Sequence, residues 1–370
     1  MIDPFSVLVP SKAFEEHLST KSLTNLVRVF ADQRQERTCS GLFQTSALPI
    51  KPAGEVATWD EVRFSRHLAP VVGRDGPHPR AALLAPRKLQ CAMASIKVMK
   101  DLPVPHLFFD VAASESAVEH GLRVLMEELQ DLANLIANTR EWLAAHALQG
   151  RIEVSEHTLP GSEIAFTIEF GTGRADAVSS WADELTRVRS HELIVLQRRF
   201  KGQAGVSPGV VLAGADVEGY LIKNLDVRGL AVARLGPAIL RGKDKDGKNP
   251  WDGLGGLSWR FMDGAFRPEG GPVTRYLQKD TLVVLPPAEQ LRSVLGWAEG
   301  RVFVPKGPLT TTDLRHAVDL IQEQRGAYAY AEVRTDPVGI RIYAGWTGLP
   351  VVLNPDAVLV YRVVPAGSTP

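Results

Sequence analysis

Cys39 and Cys91 are the only cysteines in the 370-residue chain, too few for a disulfide framework and without the close spacing of a zinc knuckle or a redox pair. A reducing compartment is the expected setting. No run of about 18 apolar residues occurs, and Met1-Ile-Asp-Pro-Phe-Ser lacks the basic and apolar regions of a secretory leader. The chain therefore reads as cytoplasmic and not membrane-spanning. Net charge is missing too. The 42 basic residues balance 42 acidic ones, which leaves no global field to draw the protein onto nucleic acid or an anionic membrane. That neutrality removes the self-repulsion that keeps copies apart and so permits self-association.

Catalytic signatures are also absent. There is no Gly-x-Ser-x-Gly elbow and no Gly-x-x-x-x-Gly-Lys-Ser/Thr loop, and the nine histidines show no metallohydrolase spacing on one helix. Asp244-Lys-Asp246-Gly247-Lys-Asn249 with Asp252 resembles a calcium loop faintly. Its glycine comes too early and no glutamate closes it, so a solvated surface loop is the favoured reading. Gly253-Leu-Gly255-Gly256 and Gly171-Thr-Gly173 are incomplete as dinucleotide fingerprints. An α+β enzyme remains the alternative, and it needs Asp244, Asp246 and Asp252 to converge with a histidine such as His191 or His316. No cofactor or metal is expected.

With 45% hydrophobic residues the chain can bury a substantial core, and its length implies subdivision. Residues 1–40 offer little apolar patterning beyond a short helix at Leu23–Phe30, and they read as an arm. From Glu55 the chain turns strand-like, with Val62, Phe64 and Leu68 on one parity. It breaks at the turn-rich Gly73–Arg80 and resumes at Ala81–Ala85, a long hairpin. Arg63, Arg66, Arg74, Arg80 and Arg87 cluster on it. An isolated ribbon is marginal in water, so this one is expected to lie on another surface, its own or a neighbouring subunit's. Trp59, Arg63, Phe64, Arg66, Arg74 and Arg80 are the candidate interface residues.

Residues 114–149 carry Val118, Leu122, Leu125, Leu129, Leu132, Ile136, Leu143 and Ala147 at helical spacing, with a capping box at Ser116–Glu119 and Gly150 placed to stop the helix. Such a helix spans roughly 50 Å, long enough to cross a whole domain as a spine. Strands are expected at 151–154, 163–170, 209–213, 257–261, 281–285, 328–335, 339–343 and 357–364, and helices at 181–196, 216–225 and 313–325.

Four segments frame this order: Gln44-Thr-Ser-Ala-Leu-Pro49; Val62-Arg-Phe64 through Leu68-Ala-Pro-Val-Val-Gly73; Gly256-Leu-Ser-Trp-Arg-Phe-Met-Asp-Gly264; and Leu349-Pro-Val-Val-Leu-Asn-Pro-Asp356. Together they resemble the lambda-type major capsid protein E family of tailed phages. The resemblance implies an α+β chain with the Hong Kong 97 phage major capsid fold. It implies an N-terminal arm over 1–44, an extended E-loop over 45–90, a peripheral domain over 91–179 and 326–370 with the spine helix, and an axial domain over 180–325. It further implies a structural protein, not an enzyme, that assembles with itself into hexamers and pentamers of an icosahedral head around double-stranded DNA. Scaffold, portal and decoration proteins are the other implied partners, with the virion as destination and the host cytoplasm as the place of assembly. Some relatives crosslink lysine to asparagine; Lys97, Lys243 and Asn249 carry no assignable role of that kind, and no crosslink is expected. A tail-tube or decoration protein is the other structural alternative, disfavoured by the long helix.

Overall fold

The computed structural model describes residues 18–32, 39–43, 50–53, 56–61, 87–108, 117–156, 158–159, 162, 164–228, 251, 253–267, 271–306, 321–335 and 338–365. In chain order, helix α1 (Thr20–Asp32) precedes strands β1 (Lys51–Ala53), β2 (Val56–Glu61), β3 (Arg87–Ala92) and β4 (Ala94–Pro103). The short helix α2 (Val104–Phe108) and the long helix α3 (Ala117–Leu148) come next. Then follow β5 (Arg151–Val154), β6 (Phe166–Glu169), β7 (Gly173–Asp176), helix α4 (Leu193–Ala204), β8 (Val210–Gly214) and helix α5 (Ala215–Lys223). The rest is largely sheet: β9 (Ser258–Met262), β10 (Ala265–Phe266), β11 (Thr274–Arg275), β12 (Thr281–Leu285), β13 (Leu295–Glu299), β14 (Arg301–Pro305), β15 (Ile321–Arg325), β16 (Ala327–Thr335), β17 (Val338–Val352) and β18 (Leu359–Arg362).

Helix α3 is the spine, 32 residues and about 48 Å long at 1.5 Å per residue. Its stripe of Leu125, Leu129, Leu132 and Ile136 is buried, as 3.6-residue periodicity demands of a helix lying on a sheet. From Arg140 to Leu148 nearly every position is covered. Gly150 ends the helix in the left-handed conformation (φ 89°), and a β-carbon there would meet Thr172 Oγ1 at 2.0 Å, so only glycine fits.

The sheet beneath α3 is organised around β17. Along one side β17 pairs antiparallel with β4, and along the other with β16 and then β13. Even-numbered residues of β17, such as Ile340, Ile342 and Ala344, are buried, while Arg341 and Tyr343 point the other way. Arg140 of α3 lies between two indoles of this sheet, 5.1 Å from the centre of Trp297 and 5.2 Å from that of Trp346. Desolvated cation–π contact suits a guanidinium, which sheds water more readily than an ammonium. Beside it, Glu141 accepts the backbone N–H groups of Cys39 (2.6 Å) and Ser40 (2.9 Å), tying the N-terminal segment to the spine.

His146 packs against Trp142 in a tilted arrangement with ring centres 4.3 Å apart, and burial lowers its pKa from 6.5 to about 4. An unfolded histidine takes up its proton near 6.5, whereas this one resists down to about 4. Stability is therefore intact above 6.5 and declines as the pH falls through that window. Thermal unfolding of His146→Phe should lose roughly 2 kcal/mol less than the parent between pH 7 and 4.5. Parallel pH profiles would assign the acid limb to another group.

A second sheet has the order β7-β18-β12-β8-β9, parallel at both ends and antiparallel in the middle. Both β8 and β12 are buried at every position, the pattern of central strands covered on both faces. Chain connections cross between the two sheets after β12 and again after β17, and they meet where the N–H of Leu353 donates to the carbonyl of Val294 (2.7 Å).

Several expectations change. Within the stretch read as an arm, Thr20–Asp32 is a docked helix: Leu23 and Val27 are fully buried against α3 and β16, and Thr24 Oγ1 donates to the carbonyl of Ala329. The helix expected over 181–196 begins later. Residues 181–187 form turns pinned by Trp181 N–H to the carbonyl of Val363, a π-helical turn covers Val188–Glu192, and α4 runs on to Ala204. The helix expected over 313–325 is corrected at its described end, because Ile321–Arg325 is strand β15, paired residue for residue with β14. Strand β18 sits inside the second sheet, next to β12, and β13 joins the sheet under the spine.

Candidate subunit-interface surfaces

The basic hairpin has its root in the described residues. Strands β2 and β3 pair antiparallel from Val56↔Ala92 to Glu61↔Arg87, and residues 62–86 connect them in sequence. The strand-like stretch expected from Glu55 is seen as β2 over Val56–Glu61, and Arg63, Phe64, Arg66, Arg74 and Arg80 lie outside the described residues. Trp59 is the one candidate that the structure places. It sits mid-way along β2, opposite Leu89, and is only 4% exposed within its own subunit. Its alternation with Ala57, also buried, turns it inward. Trp59 is therefore buried in the core of its own subunit, within the β2–β3 pair.

Sequence reading missed three exposed surfaces. The β14–β15 hairpin presents Phe303 (70% exposed) and Ile321. The alternation Arg301-Val-Phe-Val-Pro305 could have revealed it, had the neighbouring helical pattern not been preferred. Beyond β7, Val178, Leu185 (76% exposed), Ile194 and Leu225 are exposed, with Leu225 N–H donating to the carbonyl of Glu184. Large exposed apolar side chains on adjoining loops are the usual mark of a contact surface. The residues between them are fixed from inside: Glu192, 1% exposed, accepts the N–H groups of Val178 and Ser179 and the hydroxyl of Tyr361, each at 3.1 Å.

The third surface is the face of the four-stranded sheet turned away from α3. Tyr328, Tyr330 and Tyr343 stack across β16 and β17, with ring centres 6.5 and 4.6 Å apart, and Tyr343 donates to Glu332 (2.7 Å). Arg341 grips Asp101 of β4 through two hydrogen bonds of 2.5 and 2.8 Å, which hold the Asp101 carboxyl below the ordinary range. Both partners are accessible to solvent, so the pair sets register more than it adds stability. Tyr328 lies over Gly345: a β-carbon there would meet the tyrosine Oη at 2.4 Å and the backbone carbonyl of Ile96 at 2.7 Å. Gly345→Ala should cost about 1–3 kcal/mol in urea unfolding. An unchanged midpoint would mean that β4 can shift away freely.

Among the described residues no group of three or more His, Cys, Asp or Glu side chains is placed to hold a metal ion, and no helix is long and apolar enough to cross a membrane. His191 lies beside Glu192 (3.3 Å); Asp244, Asp246, Asp252 and His316 fall outside the described residues.

The family model for phage major capsid protein E matches residues 56–363. No curated protein matches the chain. Among solved structures, a protein assigned as a prophage capsid protein, from Escherichia coli CFT073, is 15% identical, with a TM-score of 0.57 over 93% of this chain and 99% of its own. A phage-related protein from Bordetella bronchiseptica RB50 is 9% identical, with a TM-score of 0.49 over 94% and 99%. The structure from Mycobacterium phage Che8 is 14% identical, with a TM-score of 0.46 over 89% and 92%.

Proposed function

The chain belongs to the phage major capsid protein E family and has the Hong Kong 97 capsid fold, and from that premise we propose how this capsid shell protein does its work. Copies join as hexamers and pentamers that close into an icosahedral head. The observation that carries the reading is the family match across 56–363, which takes in the ribbon, the spine and both sheets. Each subunit contributes residues 62–86 to a neighbour's surface, where Arg63, Phe64, Arg66, Arg74 and Arg80 set partner and register. Heterologous contacts repeated around a ring close only at the correct angle, so many modest contacts build the shell.

Double-stranded DNA inside is held without sequence preference, and the zero net charge keeps it from being pinned through phosphate contacts. A capsid protein resides in the virion; assembly takes place in the host cytoplasm, with scaffold, portal and decoration proteins as further partners. The chain has no catalytic role in this reading. Negative-stain microscopy with size-exclusion light scattering, on the protein alone and co-expressed with its neighbouring genes, tests it. Shells, tubes or rings of five and six are expected, and a monomer or dimer under every condition would overturn it.

A further inference from the structure

Helix α3 carries two charged side chains that its apolar stripe does not explain. Arg140 and Glu141, 7% and 5% exposed, sit side by side where the helix is covered on nearly every side. Burying ions is costly and adds little stability even when they are paired; the best-attested use of such groups is to fix one register against others. Here the two charges converge on one short segment. Glu141 accepts the backbone N–H groups of Cys39 and Ser40, one on each oxygen, while Arg140 lies against Trp297 of β13 and Trp346 of β17. Trp297 in turn meets Phe43, with ring centres 5.4 Å apart, and its indole N–H donates to the carbonyl of Ser40 at 3.4 Å. Cys39, Ser40, Leu42 and Phe43 are all buried, so residues 39–43 are seated against both the spine and β13. Strand β13 is also touched by β1, the edge strand of the β1-β2-β3 sheet. Spine, N-terminal segment and the base of the ribbon therefore meet at one joint.

We propose that Glu141 is a positioning residue for assembly: by fixing residues 39–43 on the spine it sets the angle of the β1-β2-β3 sheet, and that angle sets the curvature of the shell. A carboxylate with each oxygen committed to one of two adjacent N–H groups tolerates neither a one-residue slip nor a rotation of the segment. An apolar side chain at the same place would hold the segment by packing alone, which has no such direction. Residues 62–86 connect β2 to β3, so a tilt of the small sheet is passed on to the segment that carries the contact arginines. Heterologous contacts close a ring at one angle only, and a spread in that angle becomes a spread in particle diameter. The inference rests on the shell reading above.

The test reads the joint and the particle separately, in full-length protein carrying Cys91→Ser, where Cys39 is the remaining thiol. Cys39 is fully buried, and burial, then Glu141, holds its thiol well above the usual range, so it reacts when residues 39–43 lift off. Glu141→Gln keeps the shape but loses one of the two acceptors, and Phe43→Leu keeps the charge but removes the ring against Trp297. Both should speed alkylation of Cys39 by iodoacetamide at least about tenfold in the free subunit, with the melting temperature within about 5 °C of the parent. Both should also at least about double the spread of shell diameters seen by microscopy. Tyr361→Phe, weakened in the other sheet, should keep Cys39 slow and the diameter parental. Shells of parental diameter from the two joint variants overturn the inference and leave the shell reading standing. Faster alkylation in Glu141→Gln alone is an electrostatic effect on the thiol and overturns it as well, as does equal broadening by Tyr361→Phe. Failure of the parent itself to assemble under every condition removes both readings.

Discussion

Replacing Arg63, Arg66, Arg74 and Arg80 together by glutamate should leave a folded subunit that no longer builds shells. The four positions follow the last β2–β3 pair, Glu61↔Arg87, in sequence. Turning four cations into anions changes the local charge by about eight units, and like-charge contact across an interface costs several kcal/mol and slows encounter. Because the same contact recurs around every ring, a modest loss per interface multiplies. The assembled fraction should fall at least about 100-fold, with the melting temperature of the free subunit within about 2 °C of the parent. Microscopy and light scattering read the first quantity, circular dichroism the second. The fourfold lysine variant, which keeps the charge, should retain partial assembly. Shells at parental yield from the glutamate variant would remove the ribbon from the list of contacts.

The largest effect expected within a single subunit is at Glu192. Its buried carboxylate organises three donors: two backbone N–H groups of the 178–179 turn and the hydroxyl of Tyr361 on β18, whose own pKa is pushed up by burial and then by Glu192. Glu192→Ala strands all three. At about 1–3 kcal/mol for each unsatisfied group, relaxed partly by water, the loss should reach about 4 kcal/mol in urea unfolding. Tyr361→Phe removes one donor and leaves the carboxylate its two backbone partners, and should cost about 1 kcal/mol. If Glu192→Ala costs no more than Tyr361→Phe, the turn is held by Trp181 and Val363 instead.

Periodicity made the spine legible, because a single stripe over eight helical turns has no competing explanation, and Gly150 marked its end for a backbone reason visible in one residue. Strands β8, β9, β12 and β16 were likewise readable from short apolar or alternating runs. What failed were decisions between two local patterns whose outcome depends on a distant partner. Residues 321–325 satisfy a helical stripe and a strand equally, and only pairing with Arg301–Pro305 decides for the strand. Trp59 shared a segment with the arginines and was grouped with them, although burial turns on which parity faces the core. The exposed Leu185 and Leu225 had no signature of their own, since both fell within helices expected over 181–196 and 216–225 as apolar positions. The buried charges were equally silent: Glu141 and Glu192 look like surface residues until the N–H groups that they accept come into place.

Strand β18 has a bearing on synthesis at the ribosome. It lies between β7 and β12, and its partners are made long before it. Until Leu359–Arg362 emerges, β7 has no neighbour in that sheet and one side of β12 stands open. The second sheet thus depends on a strand far along the chain from β7, a non-local pairing that forms slowly and leaves strand edges open until it does.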